Sequence, residues 1–266
     1  MSFEGKRVLA LESRRATEIA ELIRRQGGDP FVAPSMREIP IEQNAALAEF
    51  AERLSAGDFD MMILMTGVGT RQMNRALSEA YQENTFSDVL RKLTVVARGP
   101  KPVAALREMG LKADIIAPEP NTWRELLKAT EASPERRIAV QEYGRSNDEF
   151  LQALRTRGAE VTPVRIYQYG LPEDTGPLRE AARRLAAGGF NVAIFTTAVQ
   201  IEHLLRVSAE MGIEAPVRAG LAQCMVASIG PTTTESLEEF GIHPAMEPTH
   251  PKMGILVREA AERVNG

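Results

Sequence analysis

The stretch VASIGPTTTESLEEFGI, from Val226 to Ile242, has a close copy earlier in the chain, VVARGPKPVAALREMGL, from Val95 to Leu111. The two align without a gap at an offset of 131 residues, which places Gly99 on Gly230. In each copy a short apolar run enters Gly-Pro and then a helical pattern, an order typical of a strand followed by a helix. The copies therefore predict that one strand–helix element occurs twice.

Two further pairs of windows repeat with nearly the same shift. FDMMILMTGVG from Phe59 matches FNVAIFTTAVQ from Phe190 at the offset of 131. RVLALESRR from Arg7 matches RIAVQEYGR from Arg137 at an offset of 130. Because agreement of several windows in chain order is the signature of an internal repeat, we interpret the chain as two homologous halves.

Both halves alternate short apolar runs with amphipathic helical patterns. Runs of this kind, rich in Val, Ile and Met, are typical of parallel strands buried on both faces. The alternation predicts an α/β protein with mostly parallel sheets, built of two flavodoxin-like or Rossmann-like domains. Glycines at Gly27, Gly28 and Gly158 suit left-handed helix C-caps. The predicted strands are Arg7–Leu11, Met61–Met65, Thr94–Ala97, Ile138–Gln141, Val192–Phe195 and Cys224–Ile229.

The composition is that of an ordinary globular protein of 266 residues, 44% hydrophobic and 26% charged. A net charge of −4, without a block of Lys and Arg, argues against a nucleic-acid partner. No apolar run approaches the roughly 20 residues that span a bilayer, and no signal-peptide pattern is present. We therefore expect a cytoplasmic protein without a membrane partner. The single cysteine, Cys224, lies in an apolar run and is interpreted as a buried thiol rather than a nucleophile.

The loops that follow the predicted strands are rich in Gly, Thr, Ser and Arg. In parallel α/β sheets, ligands bind beyond the carboxyl ends of the strands, and hydroxyls with backbone N–H groups at helix starts suit an anion. For any one loop, simple helix capping by Thr or Ser stays an open alternative. Together the loops predict an anion-binding cleft between the domains. They are LESRR (11–15), MTGVGTR (65–71), RGPK (98–101), QEYGRS (141–146), TTAVQ (196–200) and IGPTTT (229–234).

Motifs for cofactors and metals are missing from these loops. No G-x-G-x-x-G follows the first strand, and no G-x-x-x-x-G-K-[ST] or G-x-S-x-G occurs. The three histidines, His203, His243 and His250, do not have the spacing of metal ligands. If the protein is an enzyme, we expect it to work without metal or organic cofactor.

The chain resembles the uroporphyrinogen-III synthase family along most of its length. The Gly-Pro-x-Thr element before a helix, and the order of the motifs over two halves, are the most specific marks. The stretches that carry the resemblance are VLALESRR, MTGVGTR, ARGPKPVAALREMG, QEYGRSNDEFLQALRTRGAEVTPVRIYQY, FTTAVQIEHLL and SIGPTTTESLEEFGIHP.

The resemblance implies a lyase that closes hydroxymethylbilane, a linear tetrapyrrole, into a macrocycle. The terminal ring is inverted and water is lost, without a cofactor, in the biosynthesis of haem, sirohaem or cobalamin. It also implies two α/β domains joined by a two-stranded linker, one of residues 1–36 with 172–266 and one of 40–168, with linkers 37–39 and 169–171. We expect a monomer that makes at most transient contact with the preceding enzyme of the pathway.

The resemblance further implies roles for individual residues. Tyr167 would assist departure of the substrate hydroxyl, although a strand aromatic that only packs stays an open alternative; Tyr169, on the same side of the strand, is the reserve candidate. Pro102 stands where the family often has threonine, with Lys101 beside it. The substrate would be bound by Arg14, Thr66, Gly67, Val68, Arg98, Gly99, Gly144, Thr197, Ala198, Gly230, Thr232 and Thr233.

Two other classes of protein remain as alternatives. The first is a non-catalytic module of the same fold that binds or senses a tetrapyrrole. Because we expect no DNA-binding extension after AAERVNG (260–266), the enzyme is favoured. The second is a two-domain receptor for sugars or amino acids, which would require a secretory signal that the sequence lacks.

Overall fold

The computed structural model describes residues 2–40, 45–81, 85–142 and 146–265. The strands are β1 Arg7–Ala10, β2 Asp29–Val32, β3 Arg37–Pro40, β4 Met61–Leu64, β5 Thr94–Ala97, β6 Ile115–Ile116, β7 Arg137–Glu142, β8 Glu160–Arg165, β9 Tyr167–Gly170, β10 Val192–Phe195 and β11 Met225–Ser228. The helices are α1 Ala16–Arg25, α2 Ala45–Ala56, α3 Gly67–Tyr81, α4 Thr85–Leu90, α5 Pro100–Glu108, α6 Trp123–Ala129, α7 Asp148–Thr156, α8 Gly176–Ala186, α9 Val199–Glu210, α10 Glu214–Gln223, α11 Pro231–Glu239 and α12 Met253–Arg263.

The chain divides into two compact units. Unit 1 comprises Met1–Arg37 and Gly170–Gly266, and unit 2 comprises Glu38–Tyr169. Where the chain passes from one unit to the other, β3 and β9 form a two-stranded sheet. The narrower linkers at 37–39 and 169–171 remain a prediction.

Unit 1 is built on a four-stranded parallel sheet in the order β11–β10–β1–β2. The central strand β10, VAIF, is buried at all four positions. Phe195 belongs to a core with α8, α9 and α10, whereas Ile194 belongs to a core with α1 and α12. Because both faces are covered, the strand is a continuous apolar run rather than an alternating one.

Unit 2 is built on a five-stranded parallel sheet in the order β6–β5–β4–β7–β8. Its central strand β4, MMIL, is also buried throughout. Met62 and Leu64 pack in a core with α2, α3 and α4, and Met61 and Ile63 pack with α6 and α7. The predicted α/β class with parallel sheets is confirmed.

The two sheets share a strand order. Under the shifts of 131 and 130 residues, β5, β4, β7 and β8 of unit 2 correspond to β11, β10, β1 and β2 of unit 1, and these four strands are arranged identically. Strand β6 is an additional edge strand in unit 2. The shared order supports the duplication, which stays a hypothesis because unrelated α/β folds also repeat such orders.

The predicted glycine caps occur at two of the three positions. Gly27 has φ 72° after α1 and Gly158 has φ 87° after α7, both in the left-handed region that favours glycine. Gly28 lies outside that region, so its prediction as a left-handed cap was wrong. A Cβ atom at Gly28 would lie 2.8 Å from the Ile23 side chain and 2.9 Å from that of Phe3, so this glycine permits close packing instead.

Candidate active site at the carboxyl edges of the two sheets

In unit 2, Thr66 occupies the position between β4 and α3. Its Oγ1 accepts a hydrogen bond from the Gly69 N–H at 3.0 Å, the geometry of a helix N-cap. Its own N–H donates to Gln141 Oε1 at 3.1 Å. The Thr70 hydroxyl donates to the Thr66 carbonyl at 2.8 Å. Thr66 is therefore held both by its own helix and by the neighbouring strand β7.

The Tyr167 hydroxyl lies 3.1 Å from Thr66 Oγ1 and 3.5 Å from the Tyr169 hydroxyl. The two tyrosine rings form an edge-to-face pair with centroids 5.5 Å apart. Tyr167 is 0% exposed and lies in the core beneath α2 and α3, whereas Tyr169 is half-buried. The ring of Tyr167 thus packs, and its hydroxyl joins a polar group at the edge of the sheet.

Gln141, at the end of β7, was not among the predicted site residues. Its side chain is 0% exposed, and its Nε2 donates to the Glu142 carbonyl at 2.6 Å. It packs directly on Gly69, where a Cβ atom would lie 2.2 Å from Nε2. A polar residue that ends an apolar strand is the sequence signal that could have identified it.

Gly67 and Gly99, both predicted to bind substrate, are buried at close approaches within unit 2. A Cβ atom at Gly67 would lie 2.5 Å from the Lys101 carbonyl, and one at Gly99 would lie 2.8 Å from the Asn121 side chain. Gly67 therefore lets the starts of α3 and α5 pack together, and Gly99 lets the start of α5 approach the loop before α6. Val68 and Arg98, in the same two loops, are half-buried.

The loop after β7 is organised by Glu142, which is 5% exposed. Glu142 Oε1 accepts hydrogen bonds from the Ser146 hydroxyl at 2.7 Å and from the Asn147 N–H at 3.3 Å. The Asn147 side chain in turn caps α7 through the Phe150 N–H at 2.9 Å. Gly144, a predicted site residue in this loop, lies outside the described residues.

In unit 1 the corresponding edge is organised by Gln200, which projects from α9 and is 0% exposed. Its Oε1 accepts from the N–H groups of Thr196 at 2.7 Å and Thr197 at 3.2 Å. Its Nε2 donates to the Leu11 carbonyl at 3.0 Å, which ties the start of α9 to the end of β1. The predicted residues Thr197 and Ala198 are half-buried in this loop.

Glu12, 6% exposed, holds the loop after β1. Its Oε1 accepts from the N–H groups of Arg14 at 3.0 Å and Arg15 at 3.1 Å, and its Oε2 accepts from the Thr196 hydroxyl at 2.5 Å. The buried carboxylate is thereby satisfied by hydrogen bonds, as buried charges require. The Arg14 side chain is exposed.

The Gly-Pro-Thr loop of unit 1 does not present its threonines equally. Thr232 is exposed, but Thr233 is 4% exposed and Gly230 is buried. The N–H groups of Thr233 and Thr234 donate to the Gly230 carbonyl at 2.9 and 3.0 Å, within the first turn of α11. Among the side chains of these two predicted threonines, Thr232 is the one that a ligand reaches from solvent.

Two further titratable side chains of unit 1 are His203 and Cys224. His203, 3% exposed, places Nδ1 2.7 Å from the Ser35 carbonyl, and burial lowers the pKa of its imidazole. Cys224 is half-buried rather than buried, and burial raises the pKa of its thiol to about 11. The thiol therefore stays protonated at neutral pH, which disfavours a nucleophilic role.

Within residues 2–40, 45–81, 85–142 and 146–265, no cluster of three or more His, Cys, Asp or Glu side chains could hold a metal ion. None of the helices in this part of the chain has the length and apolarity needed to cross a membrane.

The fold and the edge loops define a two-unit α/β protein whose hydroxyl and amide groups gather where parallel strands end and helices begin, the usual place of ligand sites in such sheets. The chain belongs to the uroporphyrinogen-III synthase family, because the family described as Uroporphyrinogen-III synthase HemD matches residues 17–258. The family resemblance predicted from the sequence is therefore confirmed.

Two relatives are similar to this chain over most of its length and of their own. A protein of Methanothermobacter thermautotrophicus, which carries the provisional designation uroporphyrinogen-III synthase, is 32% identical over 86% of this chain and 87% of its own length. The uncharacterized protein YjjA of Bacillus subtilis is 26% identical over 97% of this chain and 96% of its own length.

Solved structures show the same fold. A mutant uroporphyrinogen III synthase of Thermus thermophilus has a TM-score of 0.73 at 24% identity and covers 98% of this chain and 99% of its own. The uroporphyrinogen-III synthetase of Helicobacter pylori has a TM-score of 0.54 at 15% identity and covers 97% of this chain and 99% of its own.

Proposed function

We propose that the protein is a uroporphyrinogen-III synthase, a lyase that cyclises hydroxymethylbilane with inversion of the terminal pyrrole ring and loss of water. The observation that carries the proposal is membership of the family over residues 17–258. The reaction needs no cofactor, and the product serves the biosynthesis of haem, sirohaem or cobalamin.

The groups at the two sheet edges suit the charge of this substrate. Hydroxymethylbilane carries eight carboxylates, and helix N-termini with hydroxyl and guanidinium groups favour such anions. We propose that accessible side chains bind it, while buried glycines, and Thr233, shape the loops from inside. The proposed contacts are Arg14, Thr197, Ala198 and Thr232 in unit 1, with Thr66, Val68 and Arg98 in unit 2; the shaping residues are Gly67, Gly99, Gly230 and Thr233. Gly144, which lies outside the described residues, stays a predicted contact from the family resemblance.

The chemistry asks more for positioning than for strong acids or bases. Loss of the hydroxyl from the terminal carbon leaves a cation that the adjacent pyrrole stabilises by resonance. Attack must then occur at the substituted position of the last ring, through a strained spiro intermediate, before the simpler closure to isomer I. Holding the bilane folded so that the inverting attack comes first is an orientation effect, which lowers the barrier without a cofactor.

The test is to give the purified protein freshly prepared hydroxymethylbilane and to separate the oxidised products by chromatography. We expect isomer III to dominate, and to be formed faster than isomer I is formed in buffer alone. A product dominated by isomer I would overturn the proposed reaction. Binding of the bilane without conversion would instead assign the chain to the non-catalytic tetrapyrrole-binding class.

A further inference from the structure

We propose that Thr66 is the group that contacts the leaving hydroxyl of the substrate, and that Tyr167 acts through Thr66 rather than on the substrate directly. The inference rests on the proposed function and refines it. It makes Thr66 the catalytic residue. Tyr167 positions Thr66 and replaces the proton that Thr66 gives up.

The first observation is exposure. Tyr167 has 0% of its surface exposed, whereas Thr66 is half-buried at the carboxyl edge of the sheet. A side chain without accessible surface does not touch a ligand that binds from solvent. The oxygen of Thr66 lies 3.1 Å from that of Tyr167, within hydrogen-bond distance. The phenol is thus one hydroxyl away from the substrate.

The second observation is the hydrogen-bond valence of Thr66 Oγ1. A hydroxyl offers two lone pairs and one hydrogen. One lone pair accepts the Gly69 N–H at 3.0 Å. Either hydroxyl of the Thr66–Tyr167 pair can be the donor. The relay uses the arrangement in which Tyr167 donates to the second lone pair of Thr66, so that the threonine hydrogen is left for the substrate. Gln141 Oε1, at 3.5 Å from Thr66 Oγ1, is too distant to hold that hydrogen firmly.

The third observation is the rigidity of the pair. Gln141 is 0% exposed and accepts the Thr66 N–H at 3.1 Å, which fixes the backbone of Thr66 relative to β7. The edge-to-face contact with Tyr169 fixes the ring of Tyr167. Both hydroxyls are therefore held in register before substrate binds, as an oriented proton donor requires.

The proton transfer balances without another reactant. As the carbon–oxygen bond breaks, the leaving hydroxyl takes the hydrogen of Thr66 and departs as water, while Thr66 takes the hydrogen of Tyr167. Threonine stays neutral and Tyr167 becomes a phenolate. The spiro intermediate then opens at the bond between the attacked carbon and its original methylene bridge. The unsubstituted α-carbon of the same ring bonds to that methylene carbon and loses its proton as the pyrrole regains aromaticity. That proton returns through Thr66 to Tyr167, so the net change is the loss of one water.

Kinetics of matched variants test the relay. Thr66→Val and Tyr167→Phe are each expected to slow single-turnover formation of isomer III by about 100-fold, the scale of general acid catalysis, with KM changed by less than about threefold. The double variant is expected to be no slower than the slower single variant, because both hydroxyls act in one chain. Thr66→Ser, which keeps the hydroxyl, is expected to restore the rate.

The matched control is Thr122→Val. Thr122 is also a helix N-cap of unit 2, at the start of α6, and is 4% exposed. Its loss removes a capping hydroxyl without touching the relay, so the rate is expected to stay within about twofold of wild type. A rate of Thr66→Val equal to that of Thr122→Val would overturn the proposal, and so would a multiplicative loss in the double variant.

Wild-type protein supplies a second readout that needs no variant. If two protons move together, the rate plotted against the deuterium fraction of the solvent is expected to curve downward; a straight line, meaning one proton, would overturn the relay. A 100-fold loss in Tyr169→Phe would also overturn it by assigning the route to Tyr169. If wild-type protein forms only isomer I, the proposed function itself is overturned. If wild-type protein forms isomer III and Thr66→Val does so at the same rate, only the relay is overturned.

Discussion

The edges of the two sheets place a glutamine amide at equivalent points but deliver it from opposite elements. In unit 1 it comes from helix α9, where Gln200 reaches the Leu11 carbonyl at the end of β1. In unit 2 it comes from strand β7, where Gln141 reaches the Thr66 N–H at the start of α3. Under the sequence shifts, Gln200 corresponds to Gly69 and Gln141 corresponds to Leu11.

The difference shows that the fold requires the amide rather than a particular position. Backbone N–H groups at a helix start have no partner within the helix and must be satisfied when buried. The space between strand and helix admits one long side chain, so the facing position must be small or apolar. In unit 2 this position is Gly69, where a Cβ atom would lie 2.2 Å from the Gln141 side chain.

A second difference lies at the opposite ends of the same strands. In unit 2, Asp60 Oδ2 accepts the Arg137 N–H at 3.0 Å, and Oδ1 accepts from the Arg137 guanidinium at 2.5 Å. In unit 1 the corresponding Asn191 accepts the Arg7 N–H at 2.9 Å through a neutral amide. The equivalent backbone N–H group is thus bound by a carboxylate in unit 2 and by a neutral amide in unit 1.

The strongest test of the comparison is to exchange the glutamine positions. Gly69→Gln is expected to lower the free energy of unfolding of unit 2 by about 3 kcal/mol, because two buried side chains would compete for one space. Adding Gln141→Leu, which reproduces the unit 1 arrangement, is expected to restore most of it. Urea unfolding followed by fluorescence measures this in unit 2, because the single tryptophan is Trp123.

The control for this exchange is Gly254→Ala in α12, where a Cβ atom meets nothing within 4 Å. Because alanine has a higher helix propensity than glycine, this variant is expected to leave the free energy of unfolding unchanged or to raise it by up to about 1 kcal/mol. Urea unfolding followed by far-UV circular dichroism measures this. If the double variant were no more stable than Gly69→Gln alone, the two positions would not be interchangeable.

Removing the amide from each unit in turn sharpens the comparison. Gln200→Leu is expected to lower the free energy of unfolding by about 2 kcal/mol and Gln141→Leu by about 1 kcal/mol, because unpaired buried groups are costly. Gln200 satisfies two N–H groups and one strand carbonyl, whereas Gln141 satisfies one N–H group across elements.

Far-UV circular dichroism reports both units in these variants, and Trp123 fluorescence reports unit 2. For Gln200→Leu, we expect the dichroism midpoint in urea to fall. Equal losses in the two variants, or a larger loss in Gln141→Leu, would contradict the explanation by number of partners.

The smallest effect concerns pH and separates the charged from the neutral strand start. Hydrogen bonds from Arg137 lower the pKa of Asp60 from 3.8 to about 2. A carboxyl whose pKa is lower in the folded protein than in the unfolded chain stabilises the folded state at pH values above the unfolded-state pKa. This stabilisation is lost as the pH falls from about 4 to about 2. Because the Asp60 side chain is 32% exposed, solvent screens the pair, and we expect a contribution of about 1 kcal/mol.

Asp60→Asn reproduces the neutral side chain of unit 1. At pH 7 it is expected to have a free energy of unfolding about 1 kcal/mol below that of wild type. Near pH 2 the two proteins are expected to be equally stable. The measurement is the urea midpoint of Trp123 fluorescence across this range. The mirror variant Asn191→Asp is the control for position, since it introduces a carboxyl beside Arg7. A constant difference between wild type and Asp60→Asn at every pH would rule out the ion pair as its cause.

Much of the fold was predictable because it is encoded locally. The strands Thr94–Ala97 and Val192–Phe195 occur at the predicted residues, since a short continuous apolar run between helical patterns is distinctive. Strand β7 is longer than predicted, and Gln141 and Glu142 at its end are buried polar residues that no apolar pattern indicates. Packing of Tyr167 was one of the two alternatives that the sequence left open, whereas the burial of Thr233 was not predicted. The binding role of the loops stays a prediction.

The sequence by itself determined the alternation of strands and helices, the family, and the loops that carry hydroxyls and glycines, because helical and strand periods and turn residues act over a few neighbours in the chain. Tertiary structure decided which of those groups face solvent and which hold one another. Thr66 and Tyr167 are 101 residues apart in the chain and 3.1 Å apart in space. Contacts of that kind depend on how β4, β7 and β9 pack in the folded protein, and local sequence patterns do not predict that packing.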